Sequence, residues 1–333
     1  STKLGPKDLL LLLPEAAAEE EEDEEEEVGV EEEEEEGPSH PIRIWAVSDI
    51  HTDKKENKAW VDNLDAEEYK DDVLILAGDV ANAWEPIEDT LLQLRRRFAR
   101  LFFCPGNHDL WVRKKDGEDS LERLRRLLRL CKEIDVDTEP GVVRVGKRQV
   151  LVVPLLSWHN PQWDTEPELN GWEGLREVQQ SVSDYWLTHW PPPTQIQDGS
   201  AARVVDAVND EVFDMSKLLK QRRRHKAVLS FSHFVPRIEA NPEKIYLIPP
   251  CLAKAVGSTC LQERVRRLRP DVHIFGHTHF GYDLTVDGVR YMQAALGAPG
   301  ERQFGGSIVS LGEFPVIKPR PVLIWDSTTE AGW

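Results

Sequence analysis

Short polar clusters rich in Asp, Asn and His recur along the chain, and each follows an apolar run. Five of the ten histidines lie in these clusters. The clusters are Asp49-Ile50-His51, Gly78-Asp79, Gly106-Asn107-His108-Asp109, Ser232-His233 and Gly276-His277-Thr278-His279. Carboxylate, amide and imidazole groups are common ligands of divalent metal ions. The set therefore predicts a metal site without thiolate ligands.

The spacing within the clusters suggests how they could share ions. Residues two apart on an extended segment point to the same side, so Asp49 and His51 could both reach one ion. Asp79 follows its own apolar run and could bridge two ions with its two oxygens. Each cluster alone also fits a turn or a core histidine, but their joint occurrence favours a two-metal site with mixed nitrogen and oxygen ligands.

The apolar runs before the clusters are typical of buried strands, and helical patterns lie between them. The predicted strands cover residues 42–47, 73–77, 100–104, 142–145, 150–156, 227–231, 272–275 and 321–325, with a further hairpin around Asp287-Gly288. Strands that alternate with helices predict a layered α/β domain. Ligands of such sheets bind at the carboxyl ends of the strands, which would gather the clusters at one edge.

The acidity of the chain is concentrated near its N-terminal end. The formal net charge is −19, of which residues 1–40 contribute −15 and residues 41–333 only −4. We expect residues 1–40 to be a disordered acidic tail, solvating or docked on a basic protein partner, and residues 41–333 to form a single domain. The near-neutral domain argues against nucleic acid as a partner.

The apolar runs and the cysteines of the chain indicate in which cellular compartment it is found. The longest apolar run, residues 9–13, is too short to cross a membrane, so no membrane partner is expected. The four cysteines have no CxxC spacing, which fits free thiols in a reducing compartment. We expect an intracellular, cytoplasmic protein, or one in an organelle such as a plastid if a targeting peptide has been removed.

In order, the motifs DxH, GD, GNHD, H and GHxH resemble those of the calcineurin-like metallophosphoesterase superfamily over roughly residues 42–300. The resemblance implies a four-layer α/β/β/α sandwich with two divalent ions (Mn, Fe, Zn or Mg) at the strand ends. It implies a first metal held by Asp49, His51 and His279, a second held by Asn107, His233 and His277, and Asp79 as the bridge. The Ser/Thr protein phosphatases of this superfamily carry GDxVDRG and GNHE, whereas residues 78–83 here read GDVANA. The chain therefore departs from that branch.

The resemblance implies a hydrolase of phosphomonoesters or phosphodiesters, acting on a small phosphorylated substrate, in which a hydroxide between the metals attacks phosphorus. His108 is the candidate general acid, because imidazole exchanges protons near neutral pH. Asp109 either orients His108 or serves as a turn residue. The alternatives are a nuclease and a non-catalytic binding scaffold on the same fold; filled ligand positions favour the enzyme.

An aromatic-rich insert is predicted at roughly residues 157–225. Its tryptophans, at positions 158, 163, 172, 186 and 190, either form a wall against a flat part of the substrate or pack a small core. Residues 113–115 and Arg237 are candidate contacts for extra phosphates, although such cations are more often solvated.

Overall fold

The computed structural model describes residues 41–113, 116–169, 176–225, 227–303 and 321–329. The predicted acidic tail, residues 1–40, lies outside the described residues, so the proposed division of the chain stays a prediction. No helix in the described ranges is both long enough and apolar enough to span a bilayer.

Two sheets of short strands carry the fold, and their central strands are buried whereas β4, β8 and β10 are partly exposed. The strands are β1 (Arg43–Val47), β2 (Val73–Ala77), β3 (Arg100–Cys104), β4 (Gly141–Val145), β5 (Arg148–Pro154), β6 (Ala227–Phe231), β7 (Val272–Phe275), β8 (Asp283–Val286), β9 (Val289–Gln293) and β10 (Val322–Asp326). The first sheet has the order β10-β1-β2-β3, and the second β4-β5-β6-β7-β9-β8. β1, β2 and β3 are parallel, as are β5, β6, β7 and β9, while β4, β8 and β10 pair antiparallel at the sheet edges.

Helices lie between the strands, and most of them connect parallel neighbours. They are α1 (Lys55–Asp62), α2 (Ala66–Tyr69), α3 (Trp84–Arg97), α4 (Ser120–Glu133), α5 (Val178–Ser181), α6 (Asp184–Leu187), α7 (Ser200–Val212), α8 (Met215–Arg224), α9 (Thr259–Leu268) and α10 (Pro299–Gln303). The start of α4 shows why the sequence folds this way locally. Asp119 accepts hydrogen bonds from the first-turn amides, and Glu122 accepts one from the Asp119 amide, so the free donors at the helix end are satisfied.

The buried side chains form four layers, which confirms the predicted α/β/β/α sandwich. Along β1, Trp45 and Val47 pack with residues of α1, α3 and α4, whereas Ile44 and Ala46 face the second sheet. This alternation follows from the two-residue period of a strand. On the far side of the second sheet, α7, α8 and α9 contribute apolar residues to the larger core. The helices of the predicted insert, α5 to α8, all lie in the crossover between β5 and β6, and α7 and α8 pack on the second sheet.

Candidate metal centre

The five polar clusters lie where parallel strands end. Asp49 follows β1, Asp79 follows β2 and Asn107 follows β3, while His233 and His277 follow β6 and β7. A backbone hydrogen bond from the Asp49 amide to the Gly78 carbonyl, 2.9 Å long, ties the first two loops together. Ser48 pairs with Ala295 beyond β9, which joins the ends of the two sheets. The two sheets thus present one common edge on which all seven predicted ligands meet.

Backbone strain is concentrated at this edge. Eight described non-glycine residues have positive φ, and five of them are predicted ligands: Asp49 (54°), His51 (40°), Asp79 (57°), His277 (75°) and His279 (56°). Such conformations cost free energy and cluster at functional sites. They also correct the reason given for the spacing, because Asp49 and His51 are not in extended backbone. Both residues have left-handed backbone instead, and their side chains still reach one ligand group.

A first group of side chains contains Asp49, His51 and His279. The Nε2 atom of His279 lies 3.2 Å from Asp49 Oδ1 and 3.3 Å from Nε2 of His51. Asp49 and His51 are buried, and the side chain of His279 is 20% exposed. Three potential ligand atoms within 4.8 Å of one another could hold one metal ion.

A second group contains Asp79, His233, His277 and Asn107. The amide oxygen of Asn107 lies 3.0 Å from Nε2 of His233 and 3.0 Å from Nδ1 of His277. His233 Nε2 is also 3.4 Å from Asp79 Oδ1. Asn107 therefore contributes a neutral oxygen to a cluster of two imidazoles and one carboxylate.

Asp79 stands between the two groups. Its Oδ1 faces His233, while its Oδ2 lies 3.9 Å from Nε2 of His51 in the first group. Oδ2 is also 3.8 Å from Nε2 of His108, which makes His51, Asp79 and His108 a third possible grouping. A carboxylate that turns one oxygen to each group has the orientation required of a bridge.

Two of the histidines, His233 and His277, each have one ring nitrogen available to bind a cation. Nδ1 of His233 lies 3.0 Å from the Ala77 carbonyl, and Nε2 of His277 lies 2.9 Å from the Ala255 carbonyl. A carbonyl can only accept, so these nitrogens carry hydrogens and donate them. The opposite ring nitrogens then face the Asn107 oxygen, a contact that needs a proton or a cation between the two atoms. The donor set therefore fits divalent metals such as Mn, Fe, Zn or Mg.

The carboxylates of Asp49 and Asp79 favour positive charge on the histidines that face them. Burial alone would lower the pKa of His233, but the Asp79 carboxylate outweighs it and the pKa is raised to about 9. The same competition with Asp49 raises the pKa of His279. Burial alone would raise the pKa of Asp49, yet the facing His279 lowers it to about 2. The carboxylates thus favour the charged form of His233 and His279, whereas burial lowers the pKa of His51 and lowers that of His277 to about 4.

Asp109, predicted as an orienting partner for His108, has different contacts. Its buried carboxylate accepts hydrogen bonds from four backbone amides, those of Asp79 (2.9 Å), Val80 (2.8 Å), Ala81 (3.2 Å) and Gly106 (2.8 Å). Burial and the charge of Asp79 nevertheless raise the pKa of Asp109 to about 7. The carboxylate therefore fastens the β2 and β3 loops to each other and acts on the site through the Asp79 backbone.

The imidazole of His108 is held by two other residues, neither of which was predicted. Its Nδ1 lies 2.6 Å from the amide oxygen of Asn82, so Nε2 is the nitrogen that faces Asp79. Trp111 stacks on the same ring, with centroids 3.7 Å apart and planes at 31°. Asn82 lies three residues after Asp79, where the Ser/Thr phosphatase motif quoted above has Asp. The motif thus marks position 82 as a place for a hydrogen-bonding side chain beside His108.

Glycine is required beside the carboxylates. A Cβ at Gly106 would overlap Oδ1 of Asp79, and a Cβ at Gly78 would lie 2.5 Å from Nδ1 of His233. Gly78 also has φ of +83°, a conformation that side chains disfavour. The glycines thus let the β2 and β3 loops approach closely enough for the ligands to converge.

The tryptophans of the predicted insert divide between the two interpretations. Trp158 and Trp163 are buried in the main core, and Trp190 packs against it. Trp186 is 54% exposed, and Trp172 lies outside the described residues. Among the candidate phosphate contacts, Arg237 is paired with Glu239 and Asp287, Arg113 is exposed, and residues 114 and 115 are outside the described ranges. Packing therefore accounts for three of the five tryptophans.

Glu301 is a further residue that the sequence did not reveal. Its Oε2 lies 2.8 Å from Nδ1 of His279 and accepts that hydrogen, which leaves Nε2 of His279 free to face Asp49. Carboxylates in this position orient metal-binding imidazoles and increase their basicity. The residue lies on α10, 22 positions after His279, and no motif marks it.

We expect Glu301→Ala to weaken metal binding by roughly tenfold, because outer partners of ligating histidines typically contribute 10–100-fold and this one is half exposed. Calorimetric titration of metal-free protein with Mn²⁺ measures the effect. Glu301→Gln keeps an acceptor for His279 and should recover much of the affinity. Glu263→Ala, which removes a surface glutamate paired with Arg266, serves as the control. Equal affinity in Glu301→Ala and wild type would show that Glu301 does not orient His279.

The chain matches the calcineurin-like phosphoesterase family over residues 42–281. It is 27% identical over 268 residues to the [acyl-carrier-protein] phosphodiesterase PptH of Mycobacterium tuberculosis, covering 78% of each sequence. The crystal structure of phosphopantetheinyl hydrolase (PptH) from the same organism superposes with a TM-score of 0.62 and 24% identity, over 82% of this chain and 98% of that one.

Proposed function

This chain belongs to the calcineurin-like phosphoesterase family and is a metal-dependent phosphoesterase, and we propose that it hydrolyses phosphodiesters with two divalent ions. The orientation of Asp79 carries the proposal, because its two oxygens face two different ligand groups. One metal would be held by Asp49, His51 and His279. The other would be held by Asn107, His233 and His277. Every side chain needed for both is present and within reach.

The reaction needs charge neutralised on the phosphoryl group and a strong nucleophile. When bound, the pair of ions supplies both, since two adjacent metals acidify water and stabilise attacking and leaving oxygens. The chain's own contribution is to hold the ligands rigidly. The amide donors to Asp109 fix the Asp79 loop, and Glu301, Ala77 and Ala255 fix which nitrogen of three histidines is free.

His108 is proposed to protonate the leaving alkoxide. Asn82 accepts from its Nδ1, so the charged imidazolium would give up the proton on Nε2, on the side where Asp79 lies, and keep the one on Nδ1. The ring is 26% exposed, more than those of His51, His233 and His279, which suits a group that exchanges protons with solvent after each turnover. Trp111 limits its rotation by stacking.

The substrate class rests on similarity to a curated relative. The Mycobacterium tuberculosis relative is a phosphodiesterase of acyl carrier protein by name. We propose that this chain also cleaves a phosphodiester, and that a phosphopantetheinyl arm on a carrier protein is the first natural substrate to examine.

The proposal is tested by turnover of bis-p-nitrophenyl phosphate and p-nitrophenyl phosphate with protein loaded in turn with Mn²⁺, Mg²⁺, Zn²⁺ or Fe²⁺. We expect the diester to be hydrolysed faster. Phosphopantetheinylated carrier protein is then incubated with the enzyme, and mass spectrometry should detect loss of the arm. Preference for the monoester would contradict the diester proposal. Absence of turnover in a metal-loaded sample would contradict the catalytic role of the site, and degradation of RNA or DNA would favour a nuclease.

A further inference from the structure

Asp184 lies outside all five clusters and outside every motif discussed above. It begins α6, in the predicted aromatic-rich insert, and is fully buried. Its Oδ1 accepts from Nδ2 of Asn107 at 2.8 Å and from Nε1 of Trp111 at 2.7 Å. Its Oδ2 accepts from Nε2 of His159 at 3.1 Å. One buried carboxylate thus touches a proposed metal ligand and the ring that stacks on the proposed acid.

The contact with Asn107 decides which end of the amide faces the metals. A carboxamide has one accepting oxygen and one donating nitrogen, and the two ends have almost the same shape. Because Asp184 accepts from the nitrogen, the oxygen must point to His233 and His277, each 3.0 Å away. Without that acceptor, the amide could rotate and present N–H groups to a cation.

The contact with Trp111 acts on the other half of the site. The indole N–H is anchored on Asp184, so the plane of the ring is fixed where it stacks on His108. Asn82 holds the edge of the same imidazole. The position of the proposed acid is therefore set by Asn82 directly and by Asp184 through Trp111.

We propose that Asp184 is a shared positioning residue, which fixes the amide of Asn107 for metal binding and the ring of Trp111 that holds His108. The inference rests on the proposed function, because it assigns a role only if Asn107 is a ligand and His108 an acid. It places a determinant of metal affinity in the segment that joins β5 to β6, which contains none of the seven predicted ligands.

The competing explanation is structural. Asp184 and His159 are both fully buried and 3.1 Å apart, so the carboxylate could simply hold α6 on the core. Burial alone would raise the pKa of Asp184, but the hydrogen bond from His159 outweighs it and the pKa is lowered. A variant at His159 removes this pair while leaving both bonds to Oδ1 in place, which separates the two explanations.

The experiment compares Asp184→Ala, Asp184→Asn and His159→Gln as purified proteins titrated with Mn²⁺ by calorimetry, without substrate. We expect Asp184→Ala to weaken one of the two metal-binding events by about 10–100-fold, as for other partners of metal ligands. Asp184→Asn keeps an oxygen for Asn107 and Trp111, so most of the affinity should return. His159→Gln should bind both ions as the wild type does, even if its melting temperature falls.

Three results would overturn the proposal. These are wild-type metal affinity in Asp184→Ala, an equal loss of affinity in His159→Gln and Asp184→Ala, or no recovery in Asp184→Asn when that variant is folded by circular dichroism. If Asp184→Ala does not fold, Asp184→Asn against His159→Gln still decides, because a purely structural pair predicts equal effects in those two. Metal binding is read without turnover, so a wild type that binds two ions but hydrolyses nothing would refute the proposed function and leave this comparison valid.

Discussion

Asp79→Asn is expected to reduce hydrolysis of bis-p-nitrophenyl phosphate by more than about 100-fold, because partners that only orient a ligand already contribute 10–100-fold. The carboxylate supplies a charged oxygen to each ligand group. An amide supplies one neutral oxygen and turns two N–H donors towards the other group, where cations repel them. Elemental analysis of the purified protein should then find fewer than the two ions per chain expected in the wild type.

A matched control is available at the opposite end of β2. Asp72 immediately precedes β2, is also buried, and accepts hydrogen bonds from Arg43 and Trp45 at the end of the strand away from the metal centre. Asp72→Asn makes the same chemical change and is expected to lower stability without changing the metal content. Two tightly bound ions in Asp79→Asn would contradict the assignment of Asp79 as the bridge.

The gathering of the clusters was predictable because it depends on a rule of architecture. The apolar runs at residues 73–77 and 100–104 coincide with β2 and β3, and parallel strands end at a common edge. The residues that follow these strands therefore lie close together, whatever conformation the loops adopt. The local reason given for Asp49 and His51 was wrong, since both have positive φ. An apolar run fixes where a strand ends, whereas the path of the next three residues depends on contacts with other loops.

Two residues that orient the ligands could not be found by pattern. Glu301 and Asp184 each touch the site through one hydrogen bond or two, and their partners lie 22 and 77 positions away. No periodicity connects such pairs, because they come close only when α10 and α6 pack in the folded chain. Asn82, 26 positions from His108, differs, because the phosphatase motif marks its position. Asp109 is different, because the GNHD motif identifies it as a site residue. Its four amide partners, however, follow only from the folded loops.

His108→Ala is expected to lower kcat for a diester with an alkyl leaving group by about 10²–10⁴-fold, the usual contribution of a positioned general acid. Alkoxides are poor leaving groups and need a proton as the bond to phosphorus breaks. The variant should retain two ions per chain, because neither proposed ligand group needs His108. The number of ions bound by this variant also tests the third possible grouping, in which His108 is itself a metal ligand with His51 and Asp79.

The choice of leaving group makes the test specific. p-Nitrophenolate is stable as an anion and needs little protonation, so His108→Ala should lose much less activity with bis-p-nitrophenyl phosphate than with an alkyl diester. His225→Ala, a half-buried histidine that follows α8, is the control and should match the wild type with both substrates. Equal losses with the two leaving groups would remove His108 from proton transfer. Loss of one ion from His108→Ala would instead make it a ligand, because a proton donor that acts only on the leaving oxygen has no reason to affect metal content.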